Sequence, residues 1–176
     1  MKKVLIVVDM QNDFINGSLG TAEAEGIVGR VAEEIGKDYD LIIATRDTHG
    51  ENYLDTNEGK HLPVVHCIRD SEGWQLSSVV EKALKEKENV RILDKPTFGS
   101  EDLAGLLKEY DKEKPIGSIT LIGLCTDICV VSNTLLVKTA FPEIPVNVIE
   151  SCCAGVTPES HAAALQTMKM CQIEVL

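Results

Sequence analysis

One cysteine of this sequence has the surroundings expected of a nucleophile. Cys129 lies near the start of a predicted helix that follows Gly123, where free backbone N–H groups favour a thiolate. Asp9 could take the thiol proton, and the ammonium of Lys95 would lower the thiol pKa further. The N–H groups of the turn at 124–129 could hold the oxyanion of a tetrahedral intermediate. These residue types predict nucleophilic catalysis; the alternative is that Cys129 packs in the core and Asp9 caps a turn.

A second set of residues has the composition of a small metal site. Asp47 and His49 form an Asp-x-His pair, and His66 follows later in the chain. Such oxygen and nitrogen ligands suit a borderline divalent ion, with zinc as the first candidate and manganese or iron as the others. Asp55 or His61 could supply a fourth ligand, and the sequence does not choose between them. The alternative is a pair of polar loop residues that make hydrogen bonds.

Both sets need strands and helices that bring them together. Short β-branched runs alternate with longer segments of helical periodicity. The predicted strands are 3–8, 41–45, 90–93, 119–123, 146–149 and 172–175. The predicted helices are 22–36, 77–87, 100–110, 127–140 and 158–170. This alternation predicts one α/β domain over residues 1–176, with three α/β/α layers, a six-stranded parallel sheet and a Rossmann-like arrangement.

The candidate residues follow the ends of the predicted strands. In an open parallel sheet, the ligand site lies beyond the carboxyl ends of the strands. Asp9 follows the first predicted strand, Asp47 and His49 follow the second, Lys95 follows the third, and Cys129 lies beyond the fourth. A carboxylate, an Asp/His pair, a lysine and a thiol are therefore directed to one crevice, which favours functional roles over structural ones.

The long connection between residues 47 and 77 is predicted to form part of the site. Long structureless segments in compact domains are usually functional or disordered, and three histidines and a tryptophan argue against disorder here. Phe14, Phe98 and Trp74 could line a pocket for a flat substrate, although aromatic residues lie more often in the core.

The composition argues against some classes of partner. A formal net charge of -11 would repel a phosphate backbone or an anionic lipid surface, so nucleic acid and membranes are poor candidates. The apolar run at positions 4–8 is too short for a secretory signal or a membrane span. We therefore expect a cytoplasmic protein, in which the six cysteines do not form a disulfide framework.

The segments that carry these residues resemble the isochorismatase-like cysteine hydrolases, and the likeness covers nearly the whole chain. The segments are VLIVVDMQNDF at 4–14, TRDTH at 45–49, LPVVHC at 62–67, KPTF at 95–98 and GLCTDICV at 123–130. Each is weakly or moderately specific by itself, but their order at these strand ends is specific. The resemblance implies the isochorismatase-like hydrolase fold.

The resemblance also implies a role for the residues of the first set. Asp9 matches the general base of the family, Lys95 its catalytic lysine, and Cys129 its nucleophile. The Leu124–Cys125 bond falls where the family has a cis non-proline peptide. This peptide would direct the N–H groups of Cys125 and Cys129 into an oxyanion hole.

The second set resembles the metal site of the nicotinamidase branch. Asp47, His49 and His66 match its metal ligands, and there the ion can hold the ring nitrogen of the substrate. Two positions depart from the pattern: Asp55 stands where many nicotinamidases have a further histidine, and Pro63 where some have a tryptophan.

Together these observations predict a cysteine-dependent amidohydrolase with a small-molecule amide as its partner. The first candidate reaction converts nicotinamide to nicotinate and ammonia through a thioester on Cys129. Two alternatives stay open: an amidohydrolase of an N-carbamoyl or ureido compound, and a non-catalytic metal-binding protein that retains the fold. Members of this superfamily commonly self-associate, so the resemblance also implies a homo-oligomer.

Overall fold

The computed structural model describes residues 1–176 and contains one sheet of six parallel strands. The strands are β1 (Lys2–Val8), β2 (Leu41–Asp47), β3 (Val90–Lys95), β4 (Ile116–Leu124), β5 (Val146–Ala154) and β6 (Glu174–Val175). They lie in the order β3-β2-β1-β4-β5-β6. The helices are α1 (Asn12–Ile15), α2 (Ala22–Gly36), α3 (Asn57–His61), α4 (Ser78–Lys85), α5 (Glu101–Glu113), α6 (Val131–Ala140) and α7 (Pro158–Met170), with a 3-10 turn (Tyr53–Asp55) and a π-helical turn (Thr126–Val130). The predicted three-layer α/β/α architecture with a six-stranded parallel sheet is confirmed.

The sheet is covered by helices on both faces, which explains its continuous apolar strands. Residues 4–8 of β1 are fully buried, because alternate side chains enter two separate cores. One core packs β1 and β4 against α5, α6 and α7 through residues such as Leu103, Val137 and Leu165. The other packs the opposite face against α2 and α4 through residues such as Val31 and Val80. None of the helices combines the length and the apolar character that a membrane-spanning helix needs.

The predicted elements agree best with the structure where a capping residue marks the boundary. Helices α2 and α7 have the predicted bounds, and the side chains of Thr21 and Thr157 cap their first turns. Strand β5 is longer than predicted, because Cys153 and Ala154 pair with the end of β4 after a register shift. Strand β6 is shorter, because Gln172 has a φ of 64° and still belongs to the turn after α7.

The centre of the sheet places β1 directly beside β4, and Gly123 permits their close approach near the carboxyl ends. Gly123 pairs with Val8 and has a φ of 117°. A Cβ atom at this position would collide with the backbone carbonyl oxygen of Val8. A glycine is therefore required at this position of β4, opposite Val8, which is the last residue of β1 before Asp9.

Replacing Gly29 with alanine is expected to stabilise the protein. Gly29 lies in α2, and an added Cβ would have no heavy atom within 4 Å. The substitution should raise the free energy of unfolding by about 0.5–1 kcal/mol, because glycine is a poor helix former. Urea unfolding would measure this, with Gly123→Ala as the contrasting variant, for which we expect a decrease. An equal effect of the two substitutions would contradict the backbone geometry described here.

Candidate active site

The structure brings Asp9, Lys95 and Cys129 together at the carboxyl ends of the central strands. Asp9 follows β1, Lys95 is the last residue of β3, and Cys129 lies in the π-helical turn that follows β4. Asp9 and Lys95 are 0% exposed, and Cys129 is 4% exposed. Three residues that are far apart in sequence therefore share one buried site, as the strand-end positions predict.

Lys95 lies between the carboxylate and the thiol. Its Nζ atom is 2.6 Å from Oδ2 of Asp9 and 3.4 Å from Sγ of Cys129, and it donates to the carbonyl oxygen of Thr97 at 3.1 Å. The hydroxyl of Thr45 donates to Oδ1 of Asp9 at 2.7 Å. The Asp9 carboxylate is thus fixed through one oxygen, while its other oxygen faces the lysine.

The charges in this site act on the thiol in opposite directions. Burial raises the pKa of Cys129 well above its usual value, the Asp9 carboxylate raises it further, and Lys95 lowers it. Burial also raises the pKa of Asp9, although Lys95 opposes that effect. The sequence-based expectation that the surroundings lower the pKa of Cys129 is therefore wrong for the net effect. Burial therefore disfavours the thiolate of Cys129, and Asp9 is the carboxyl group beside Lys95 to which its proton could pass.

Asp47, His49 and His66 also come together, and Glu58 completes the set. The ligand atoms of these four residues all lie within 4.8 Å of one another. Oδ2 of Asp47 is 3.0 Å from Nε2 of His49 and 3.6 Å from Nε2 of His66. Oε1 of Glu58 is 3.6 Å and 3.8 Å from the same two nitrogens. Ligand atoms about 2.0–2.1 Å from a tetrahedral zinc ion would be about 3.4 Å apart, so the donor types and their spacing fit a divalent metal.

Glu58 replaces both residues that the sequence suggested as a fourth ligand. Asp55 and His61 are exposed and do not belong to the cluster. Nδ1 of His61 is instead 2.8 Å from the carbonyl oxygen of Asn57. Glu58 lies in the first turn of α3, which Thr56 caps through a hydrogen bond from Gly59. This capping threonine is the sequence signal that could have predicted the short helix.

The surroundings of the cluster orient its ligands. Nδ1 of His66 donates to the carbonyl oxygen of Val64 at 2.8 Å, which leaves Nε2 free to act as a ligand. Burial alone would raise the pKa of Asp47, but the neighbouring imidazoles of His49 and His66 and the charge of Lys95 outweigh it and lower that pKa. Asp47 is therefore ionised, as a metal ligand must be.

A mostly apolar cavity of about 310 Å³ adjoins both sets of residues. Its walls include Cys129, Asp47, Glu58 and His66, together with Phe14 and Phe98 from the predicted substrate set. The sequence analysis missed the other lining residues, which are Leu19, Leu62, Cys125, Ile128 and Val156. The cavity therefore offers a mostly apolar space between a thiol and the candidate metal ligands.

Trp74 does not line this cavity, so the structure does not bring it together with Phe14 and Phe98. Its Nε1 donates to the hydroxyl of Thr48 at 2.8 Å, and the guanidinium of Arg46 lies 3.7 Å from the ring centroid. The side chain is 5% exposed. Trp74 packs behind β2 because the indole N–H and the ring face both find partners there.

The four-residue cluster predicts one bound zinc ion per chain. Purified protein incubated with zinc and desalted should retain about one equivalent, and Glu58→Gln or His66→Ala should weaken binding by a factor on the order of 10–100. Elemental analysis and competition with a chromophoric chelator would measure both quantities. His61→Ala is the matched control, because His61 lies in the same helix as Glu58 but outside the cluster. Equal loss in the control, or no zinc in the wild type, would contradict the site.

Comparisons with known proteins agree with this architecture over nearly the whole chain. The family model described as the Isochorismatase domain matches residues 3–176. The Bacillus subtilis isochorismatase family protein PncA is 29% identical, over 94% of this chain and 93% of the relative. A crystal structure of pyrazinamidase of Pyrococcus horikoshii in complex with zinc has a TM-score of 0.81 and 27% identity, covering 100% of this chain and 99% of that one. The crystal structure of nicotinamidase PncA from Bacillus subtilis has a TM-score of 0.81 and 28% identity, covering 99% of both chains.

Proposed function

The chain belongs to the isochorismatase family and is a hydrolase that acts on amide carbon–nitrogen bonds, and from this premise we propose that it converts nicotinamide to nicotinate and ammonia. One observation carries the proposal. Cys129, which contacts Lys95 beside Asp9, lines a mostly apolar cavity that also adjoins the candidate metal ligands. The pyrazinamidase and nicotinamidase similarities support an aromatic amide as the substrate.

The first half of the proposed reaction forms a thioester. The Cys129 thiol gives its proton to Asp9 as Sγ attacks the carbonyl carbon of the amide. Lys95 stays beside both groups and stabilises the negative charge on sulfur during the transfer. The backbone N–H groups of Cys125 and Cys129 donate to the oxyanion. The amide nitrogen takes a proton from Asp9 as its bond to carbon breaks, and it leaves as ammonia.

The second half restores the enzyme. Asp9 takes a proton from water as the water oxygen attacks the thioester carbon, and the carbon–sulfur bond then breaks. The sulfur takes the proton that Asp9 holds, and the product acid loses its own proton and leaves as a carboxylate. The overall reaction consumes one water and releases one carboxylate, one ammonia and one proton, and it needs no oxidant or reductant.

Asp47, His49, Glu58 and His66 would hold a divalent ion, for which we propose zinc. When bound, the ion supplies a Lewis acid at the edge of the cavity for the ring nitrogen of the substrate. Phe14 contributes to the same edge, because its ring centroid is 5.5 Å from that of His66. The chain's own residues thus orient a flat ring with its amide group towards Cys129.

The cavity favours an aromatic amide over the N-carbamoyl or ureido alternative. An N-carbamoyl amino acid carries a carboxylate, which is usually recognised by arginine or lysine. No arginine or lysine lines the cavity, and two of its lining residues, Asp47 and Glu58, are acidic. The aromatic side chains of Phe14 and Phe98 instead suit a ring.

Ammonia release from a small panel tests the proposed substrate. The zinc-loaded enzyme would be given nicotinamide, pyrazinamide, an N-carbamoyl amino acid and a ureido acid at equal concentrations. We expect turnover of the two aromatic amides and none of the others. Turnover of only the carbamoyl or ureido compound would agree with Cys129 as the nucleophile but would refute nicotinamide as the substrate. Failure of every compound would favour the non-catalytic metal-binding alternative.

A further inference from the structure

Gln11 is a fully buried amide whose hydrogen bonds all reach backbone atoms around the candidate metal site. Its side-chain oxygen accepts from the N–H of Asp47 at 2.7 Å, and its side-chain nitrogen donates to the carbonyl oxygen of Asp47 at 2.8 Å. The same nitrogen donates to the carbonyl oxygen of Trp74 at 2.9 Å. Gln11 is 0% exposed. A reversed amide would face its oxygen towards two carbonyl oxygens, so the network fixes the orientation.

The two bonds to Asp47 replace a missing strand neighbour. Strands β1 and β2 pair up to Val7 and Ala44, and Asp9 then donates to Thr45 as the last backbone bond between the two segments. Backbone groups of alternate residues in a strand point to the same side. The N–H and C=O of Asp47, two residues beyond Thr45, therefore point to the side of β2 that faces β1. The main chain has left the sheet by then, because Asp9 has a φ of 47°.

Without Gln11, both backbone groups of Asp47 would therefore be buried on that side without a strand partner. Buried backbone groups are almost always paired, so this position needs a donor and an acceptor side by side. A primary amide supplies both in the geometry of a peptide group. The side chain of Gln11 thus extends the sheet by one step, at the residue that carries a metal-ligand carboxylate.

We infer that Gln11 is a positioning residue for Asp47 and sets the affinity of the metal site. By holding both the N–H and the C=O of Asp47, it fixes the direction from which Oδ2 faces His49 and His66 and Oδ1 faces Lys95. Partners that orient a ligand in this way typically change metal affinity when they are removed. The inference rests on the proposed metal site, and it is independent of the proposed substrate.

Zinc affinity of the metal-free full-length protein tests the inference. Gln11→Met keeps a side chain of similar length but removes all three hydrogen bonds. Its dissociation constant for zinc, measured by competition with a chromophoric chelator, should rise by a factor on the order of 10–100. The visible absorption of the cobalt-substituted variant should also change, because cobalt absorption reports the ligand geometry.

Two matched controls separate positioning from general damage. Thr134 in α6 is also 0% exposed, and its hydroxyl donates to the carbonyl oxygen of Val130 and does not touch the cluster, so Thr134→Val removes a comparable buried hydrogen bond. A second variant is Gln11→Glu, and its control is Asn12→Asp. The side-chain amide of Asn12 donates to the carbonyl oxygen of Glu72 and does not contact Asp47. Both controls should keep the wild-type zinc affinity and cobalt spectrum.

The outcomes decide between the possibilities. Weaker zinc binding in the Gln11 variants, with unchanged controls, supports the inference. If Gln11→Met does not fold, Gln11→Glu gives the result. A lower unfolding temperature with zinc affinity within threefold of wild type would show a merely structural role and overturn the inference. A wild type that binds no zinc would refute the metal site itself, and the inference with it.

Discussion

Cys129→Ala is expected to lower the rate of ammonia release from nicotinamide by a factor on the order of 10⁴ or more. The reason is that Sγ of Cys129 is the atom that would form the thioester, and alanine has no nucleophile to replace it. The thiol lies 3.4 Å from Nζ of Lys95 and lines the apolar cavity. Loss of one small buried sulfur should change the free energy of unfolding by only about 1–2 kcal/mol, so the variant should fold.

Cys153→Ala is the matched control for this prediction. Cys153 is 5% exposed, belongs to the same hydrophobic core as Cys129, and lies in β5 away from the cavity. Burial raises its pKa to about 12, so it is an unreactive thiol at neutral pH. We expect this variant to keep full activity with a similar loss of stability. Full activity in Cys129→Ala would contradict the proposed mechanism.

Asp9→Asn is expected to separate the reactivity of the thiol from catalysis. The change keeps the shape of the side chain but removes the base, and kcat and kcat/KM should both fall by a factor on the order of 10²–10⁴. Removing one partner of a buried ion pair lowers the free energy of unfolding by about 3–5 kcal/mol. The loss should be smaller here, because an oxygen of Asp47 lies 3.6 Å from Lys95 and still balances its charge. Steady-state kinetics and urea unfolding would measure both effects.

The thiol of the same variant should nevertheless become more reactive. The Asp9 carboxylate raises the pKa of Cys129, whereas Lys95 lowers it. Without Asp9 one of the effects that raise the thiol pKa is lost while Lys95 remains, so the thiol pKa should fall and a larger fraction should be thiolate at pH 8. Alkylation of Cys129 by iodoacetamide should therefore be faster in Asp9→Asn than in the wild type.

The control for this experiment is Asp94→Asn. Asp94 is next to Lys95 in β3, but its carboxylate pairs with Arg46 at 2.7 Å and Arg69 at 3.0 Å. The variant should keep both the wild-type turnover and the wild-type rate of alkylation. Slower alkylation together with slower turnover in Asp9→Asn would indicate general damage to the site instead of the loss of a base.

Much of the fold could be predicted because its signals are local. Thr157 followed by Pro158 defines the start of α7, and runs of buried apolar residues such as 4–8 define central strands. Once the sheet is parallel, Asp9, Lys95 and Cys129 must lie at the same edge. The sequence therefore predicts which residues meet, and in the structure Asp9 and Cys129 both lie within hydrogen-bonding distance of Lys95.

The errors concern properties that depend on three-dimensional surroundings. Glu58 was missed because α3 has only five residues, too few for a periodic pattern to show. The place of Trp74 outside the cavity could not be predicted, because the sequence does not show that Arg46 and Thr48 occupy its surroundings. The net pKa shift of Cys129 was given the wrong sign, because burial opposes the effect of Lys95 and burial cannot be read from spacing.

The most direct test of the central claim is to intercept the thioester on Cys129 during turnover. Nicotinamide would be supplied with hydroxylamine, which attacks thioesters, and acid-quenched samples would be examined by mass spectrometry. We predict that part of the product becomes the hydroxamate, and that the peptide containing Cys129 carries one nicotinoyl group. Neither species should form with Cys129→Ala. If the wild type releases nicotinate and ammonia with no hydroxamate and no adduct on Cys129, the covalent mechanism proposed here is contradicted.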